Sequence, residues 1–440
     1  CQARIKSLGI KADKDHSAEE KLQSYFVQRI EKFLLKQNKK MIGWDEILEG
    51  GLAPTAIVMS WRGEDGGIAS ANMGHDVIMT PGEWLYLDRY QGDSRLAPVT
   101  IGGYLPLEKV YGYDPVPEKI AANKKHHILG AQGNVWNEYN YTGEQMEYDI
   151  YPRIIALAEL TWTPQERKDY KDFERRIENQ RVRLDMYDIN YYIPIPEDMG
   201  EAPSCNFVAF VDETTVGFET TEPAKIVYTT NGMEPNGKST LYTEPITISE
   251  NTTLKVRSIL LSGKMSPVRE ITFEKQTYAP AVERAAEEKP GLKVEYFKGL
   301  ARATSELEGK TPNEVEYLPT FSSKYIVKDY SEVYPEHFWS TLHTGYINIP
   351  EDGVYYFHTD SEFWLDGELF ISNVEGNEGT ARKFSRSDRS VALAKGYHPF
   401  KLLQLGAILG GWPHQWEVAR LEMRKANEPS FRMVVASDFE

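Results

Sequence analysis

The stretch that decides the fold is "KMIGWDEILEGG", residues 40–51. An apolar run, Met41-Ile42, leads through Gly43 into Trp44, Asp45 and Glu46. The next run, "TAIVMSW" (55–61), also ends in a tryptophan, Trp61. A third, "HDVIMTP" (75–81), runs toward "EWLYLD" (83–88), and a fourth lies in "HHILGAQGNVWNE" (126–138). These runs are short, continuous and apolar, which is how strands of a parallel sheet covered on both faces read. Helical patterns flank them. "HSAEEKLQSYFVQRIEKFLLKQNKK" (16–40) has Ser17 and Glu20 spaced as a capping box. Leu22, Tyr25, Phe26, Ile30, Phe33 and Leu34 recur in it at helical spacing and predict one buried face. "EQMEYDIYPRIIALAELTW" (144–162) and "PQERKDYKDFERRIENQRVRLDMY" (164–187) predict two more helices, with Pro164 in the first turn of the second. The region is therefore α/β, although four strands alone do not close a barrel.

The pattern changes near "PIPEDMGEAPS" (194–204). From there to about residue 275 short alternating strands and an Asn-Gly turn at Asn231-Gly232 predict a small β-sandwich of immunoglobulin size. The charged, Ala- and Pro-rich segment 276–290 reads as a linker. "LKVEYFKG", "GVYYFHTDSEFWLDGELF" and "RSVALAKGYHPFKLLQL" then alternate again, with Asp-Gly and Lys-Gly turns. The organisation expected is residues 1–197 as an α/β region, 203–275 as a small sandwich, 291–427 as a larger one and 428–440 as a tail. A chain of 440 residues is long enough for about three such domains.

Composition narrows the function classes. The formal net charge of −16 argues against nucleic acid or an anionic membrane as partner. No apolar run is long enough to cross a bilayer. Two cysteines, Cys1 and Cys205, offer neither a disulfide framework nor metal-ligand spacing, and no cofactor is expected. "CQARIKSLG" reads as the end of a helix stopped by glycine, so the expectation is that the chain starts inside a domain.

All four strand ends carry a ring, a carboxylate or both: Trp44, Trp61, Tyr86 with Asp88, and Trp136 with Glu138. Any one of them alone is more often core or a solvated cap. As an ordered set they sit where parallel α/β barrels build their sites. In extended backbone, residues i and i+2 point to one side, so Tyr86/Asp88 and Trp136/Glu138 each pair a ring with a carboxylate. Rings meet the apolar faces of a ligand and carboxylates accept from hydroxyls, a combination that suits a carbohydrate.

"IGWDEIL", "IVMSWRG", "GEWLYLDRYQGD" and "LGAQGNVWNEY", in this order, resemble the second half of the catalytic barrel of family 20 glycoside hydrolases, the β-N-acetylhexosaminidases. The middle region resembles the small β-sandwich often appended to these enzymes. The last resembles the protective-antigen-type β-sandwich, frequently a carbohydrate-associated module. The resemblance implies a multidomain chain, a partial (β/α)8 barrel followed by two all-β sandwiches. It implies that Trp44, Trp61 and Trp136 wall a 2-acetamido pocket and that Tyr86 holds the acetamido oxygen. Asp88 and Glu138 would hold sugar hydroxyls. The reaction implied is retaining, exo-acting hydrolysis of terminal N-acetylglucosamine or N-acetylgalactosamine, with the substrate's own acetamido oxygen as nucleophile.

The family's general acid and the Asp before it lie in an H-x-G-G-D-E motif, which these 440 residues do not contain. Asp45-Glu46 falls one strand later than that pair, and Asp212-Glu213 falls in the small sandwich. The expectation is therefore a C-terminal fragment with little activity alone. Its partners would be N-acetylhexosamine glycans and a missing N-terminal half, in an extracytoplasmic setting. The alternative is a non-catalytic carbohydrate-binding or adhesion protein.

Overall fold

The computed structural model describes residues 1–200, 202–284, 291–328, 337–372, 374–375, 380–381, 387–407 and 417–439. The chain forms two units, residues 1–92 with 98–194, and residues 93–97 with 195–440.

The first unit is built on four parallel strands in sequential order: β1 (Ile42–Trp44), β2 (Ile57–Ser60), β3 (Val77–Met79) and β4 (Ile128–Ala131). Trp44 lies beside Met59, and Ser60 beside Met79, so the C-terminal ends of neighbouring strands are level. Helix α1 (Gln2–Leu8) stops at Gly9, whose φ of 63° is the left-handed cap expected from the sequence. Helix α2 (Ala18–Lys36) has the full Ser17/Glu20 capping box. Its apolar residues do not form the single buried face expected. Val27 and Leu34 pack on the cluster around Val58 and Ile47, whereas Phe26, Ile30 and Phe33 are exposed. The edge strands also show apolar side chains, Ile42 on β1 and Leu129 on β4.

Helix α3 (Asp65–Met73) lies close on the sheet, since a Cβ on Gly67 would come within 2.6 Å of the Met79 sulfur. The main core joins β3 to α4 (Leu107–Gly112) and to the C-terminal helices through Leu85, Leu87, Leu107, Leu157, Phe173 and Ile177. The long helix expected over 144–162 is two, α5 (Gly143–Ile150) and α6 (Arg153–Trp162), broken at Tyr151-Pro152. The residue before a proline is driven from helical backbone, so the break falls there. Pro164 precedes a short turn, and α7 (Tyr170–Met186) starts from an Asp169 cap.

The second unit is nearly all β. Strands β5 (Phe207–Phe210), β6 (Lys225–Thr229), β7 (Thr240–Leu241), β8 (Thr252–Ile259) and β9 (Arg269–Lys275) form a sheet in the order β7-β6-β8-β9-β5. Gly232 sits at a φ of 80°, as the Asn-Gly turn requires. The larger sandwich packs two sheets. One contains β10 (Leu292–Lys298), β11 (Glu314–Leu318), β12 (Trp339–Ile349), β14 (Glu362–Leu365), β15 (Glu368–Ile371) and β17 (Gly396–Gln404), ordered β11-β10-β12-β17-β14-β15. The other contains β13 (Gly353–Thr359), β16 (Ser387–Leu393), β18 (Glu422–Lys425) and β19 (Arg432–Met433), ordered β16-β13-β18-β19. Asp366-Gly367, with φ of 51° and 87°, makes the tight turn joining β14 to β15. The core between the sheets includes Val294, Tyr296, Ile347, Phe357, Phe363 and Phe400. In segment 276–290, Ala279 bridges Leu393 and Val282 bridges Tyr397, while 285–290 lie outside the described residues. The molecule is thus a parallel α/β region followed by largely antiparallel β-sheet domains, the fold class read from the sequence. No described helix is long and apolar enough to cross a membrane.

Candidate active site

The C-terminal ends of the four parallel strands bring the sequence-selected rings together. Trp44 is the last residue of β1, and Trp61 directly follows β2. After β3 a turn at Gly82–Leu85 lifts the chain to Tyr86, which bridges to Asn134 beyond β4. Ring centroids are 5.7 Å apart for Trp44 and Trp136, 6.3 Å for Tyr86 and Trp136, and 6.2 Å for Trp61 and Tyr86. Trp61 and Tyr86 stack nearly parallel, and the other two pairs are tilted. Trp136 is 41 % exposed, so the cluster is open to solvent on its side.

Asp45 and Glu46, the pair that resembles a catalytic dyad on paper, are both engaged with the end of β2. Asp45 is buried, and its Oδ2 accepts from the backbone N–H groups of Trp61 at 3.0 Å and Arg62 at 3.1 Å. Its Oδ1 takes the Arg62 Nε at 2.6 Å. Glu46 accepts the indole N–H of Trp61 at 3.0 Å. One carboxylate therefore fixes the backbone under Trp61, and the other fixes the ring's rotation.

Tyr86 is half-buried, and burial raises its phenol pKa against the opposing effect of hydrogen bonding to Trp136 and Asn134. The phenol is a proton donor at neutral pH. Asp88 is almost wholly buried, and its Oδ2 accepts the Trp136 N–H at 3.1 Å. Its Oδ1 has no partner in hydrogen-bond geometry among the described residues. Burial raises the Asp88 pKa, and the charge of Glu138 adds to it. Glu138 is exposed, so the two carboxylates of the set differ sharply in environment.

Three contributors were not singled out from the sequence. Asn134 bridges Tyr86 and ties itself to Thr80 Oγ1 at 2.6 Å. Arg62 neutralises Asp45. Arg153, fully buried, donates to the carbonyls of Leu87, Asp149 and Leu105, which clamps the segment between Tyr86 and Asp88 to α6. Burial lowers its pKa to about 10, opposed by Asp149 and Asp88, so it keeps its charge at neutral pH. Its position in "YPRIIALAELTW" is the only signal the sequence holds for this. A charged residue in a largely apolar helix marks either a solvated face or a buried clamp. Among the described residues no cluster of His, Cys, Asp and Glu has metal-site geometry.

The pattern of matches to known families mirrors the architecture. Residues 1–165 match the model for the glycosyl hydrolase family 20 catalytic domain. Residues 93–97 aside, that match lies within the first unit. Residues 209–270 match the chitobiase/beta-hexosaminidase C-terminal domain, and residues 288–427 match the PA14 domain. A beta-hexosaminidase of Porphyromonas gingivalis is 48 % identical over 438 residues, which is 99 % of this chain and 55 % of that enzyme. A beta-hexosaminidase of Vibrio furnissii is 35 % identical over 163 residues, 36 % of this chain and 25 % of the relative. The chain thus spans about half, or less, of the length of these curated relatives. A family 20 exo beta-N-acetylglucosaminidase from Vibrio harveyi, solved with N-acetylglucosamine, is 32 % identical. It covers 44 % of this chain and 30 % of its own, with a TM-score of 0.39.

Proposed function

We propose that this family 20 chain supplies the acetamido-recognising half of an exo-acting, retaining β-N-acetylhexosaminidase. The observation that carries the reading is the ring cluster Trp44, Trp136, Tyr86 and Trp61 at the ends of four parallel strands. In this reading the three tryptophans enclose the N-acetyl methyl and press the acetamido group toward the anomeric carbon, which supplies proximity. The protonated Tyr86 phenol donates to the acetamido oxygen. That oxygen attacks the anomeric carbon, the glycosidic C–O bond breaks and an oxazolinium ion forms. The departing oxygen takes its proton from a carboxylic acid that is not among these 440 residues. Water then opens the ring with overall retention. Asp88 and Glu138 accept from hydroxyls on the far side of the sugar, Asp88 through its unpartnered Oδ1.

Several features support completion of the barrel by further α/β sequence. The stripe Phe26, Ile30, Phe33 and the edge residues Ile42 and Leu129 are apolar and exposed. Proteins normally cover such edges and patches. The partner of this reading is therefore a catalytic-domain segment carrying the acid and its orienting Asp.

Calorimetric titration of the chain with N-acetylglucosamine and with glucose tests the pocket. The 2-acetamido sugar binds in preference, and Trp136→Ala weakens it about tenfold through loss of ring contact. Equal affinity for the two sugars overturns the pocket assignment. The isolated chain shows little or no hydrolysis of an aryl N-acetylglucosaminide. Turnover that disappears in Trp136→Ala would mean that the acid lies within the 440 residues after all.

A further inference from the structure

Asp149 stands where a carboxylate is disfavoured three times over. It lies in the last turn of α5, where the helix dipole opposes negative charge. It is 3 % exposed, so its charge gives up most of its hydration. It also feels a second buried carboxylate, Asp88, and the two share the charge of one buried cation, Arg153. The Arg153 guanidinium donates to the carbonyls of Leu105, Leu87 and Asp149, so its N–H groups are spent on backbone. A neutral side chain at 149 would serve the packing better. Breaches of local rules of this kind collect at functional sites.

The backbone that carries Asp149 is pinned. Gln91 Nε2 donates to the Tyr148 carbonyl at 2.6 Å, and Arg153 takes the Asp149 carbonyl. From this fixed base the Asp149 carboxylate hydrogen-bonds the Asn140 side chain. Asn140 Nδ2 in turn donates to the Trp136 carbonyl at 3.1 Å. The Trp136 N–H donates to Asp88 Oδ2, also at 3.1 Å. The peptide groups on both sides of Trp136 are therefore tied to buried carboxylates, one directly and one through Asn140. Trp136, Asn137 and Glu138 are themselves exposed. Their backbone takes its direction from these two ties.

We propose that Asp149 is a positioning residue for the sugar pocket, setting Trp136 and Glu138 in place through the Asn140 side chain. What those two residues do for a ligand rests on the acetamido-pocket reading; the positioning does not. An ionised carboxylate is the stronger acceptor for the Asn140 amide. Burial pushes the Asp149 pKa up to about 6, with Arg153 and Asn140 opposing and Asp88 adding. Arg153 and Asp88 are the charged groups that face Asp149, and Tyr148 and Tyr192 stand around Arg153. The tie is therefore firm at pH 7.5 and relaxes as pH falls through about 6.

The test reads Trp136 in the full chain without and with sugar. The nine tryptophans are replaced by 5-fluorotryptophan, and the Trp136 fluorine signal is assigned from Trp136→Phe. In the parent that signal moves between pH 7.5 and pH 5 with a midpoint near pH 6. In Asp149→Asn the step disappears. In Asn140→Ala the signal at pH 7.5 moves away from its parent position, and N-acetylglucosamine binds about fivefold more weakly by calorimetry. Asn140 is only half-buried, so its alanine variant decides the matter even if Asp149→Asn does not fold. The proposal is overturned if Asn140→Ala leaves the Trp136 signal where it was. It is equally overturned if the full pH step survives in Asp149→Asn, since Asp88 would then be the titrating group. Should the parent bind no N-acetylglucosamine at either pH, the pocket reading falls, and the fluorine signals still decide the positioning.

Discussion

At the scale of single residues, Asp45 and Glu46 show how a motif and its role separate. Both are anchored to Trp61 and Arg62 just past the end of β2, across a sequence gap of fifteen to seventeen residues. A buried carboxylate accepting two backbone N–H groups and an arginine is costly to alter. Asp45→Asn therefore lowers stability by about 2–3 kcal/mol in urea titrations. Glu46→Ala leaves the fold intact and weakens N-acetylglucosamine binding several-fold, because the Trp61 indole loses its acceptor. If Glu46→Ala instead left sugar affinity unchanged and abolished turnover in the complete enzyme, Glu46 would belong to the chemistry rather than to the pocket wall. The rings of this site were legible because strand ends are local features. The jobs of Asp45, Arg62 and Arg153 were not, because each is set by a partner brought near only by folding.

At the scale of elements, α2 separates what periodicity states from what it omits. The 3.6-residue spacing says which side chains share a stripe and is silent on whether anything covers it. Ser24, Val27, Glu31 and Leu34 turned out to face the sheet, with Glu31 accepting from Thr55 at 2.7 Å. Phe26, Ile30 and Phe33 form a second stripe that points away from it. Replacing those three with glutamine changes the melting temperature little, since exposed side chains are near neutral for stability. A large drop in melting temperature would show that the stripe is buried within the chain. Capping at Ser17 and the stop at Gly9 were readable for the opposite reason, since each is decided within four residues. Cross-strand neighbours in the larger sandwich were invisible in sequence, because Lys293, Thr344 and Lys401 meet only through strand register.

At the scale of the sandwich unit, the two β-domains read from the sequence as beads on a linker share packing. Tyr356 of the larger sandwich is buried in the core of the smaller. Ser390 Oγ accepts the Ala209 N–H at 2.6 Å, and the Arg389 guanidinium lies 4.3 Å from the centre of the Phe207 ring. Residues 93–97 stitch the same junction. Arg95 Nε lies 2.9 Å from the buried Asp388 carboxylate, and Asp93 accepts the Ser204 N–H at 2.9 Å. These contacts predict one cooperative transition for both sandwiches. Arg95→Ala strands Asp388 without its cation and lowers that transition by about 3 kcal/mol. The junction also sets a pH dependence. Burial raises the Glu197 pKa to about 7, with the charges of Asp93 and Glu219 adding and the Asp93 N–H opposing. A carboxyl with a raised folded pKa stabilises fully below its unfolded value of about 4.3. That contribution is lost as pH rises through about 7. Solvent access at this half-buried site keeps the effect to roughly 1–2 kcal/mol. Scanning calorimetry between pH 5 and 8 should show the sandwich transition falling with pH in the parent and less steeply in Glu197→Gln. Two separate sandwich transitions, with only one moved by Arg95→Ala, would mean that the domains fold independently and that the junction is contact without coupling.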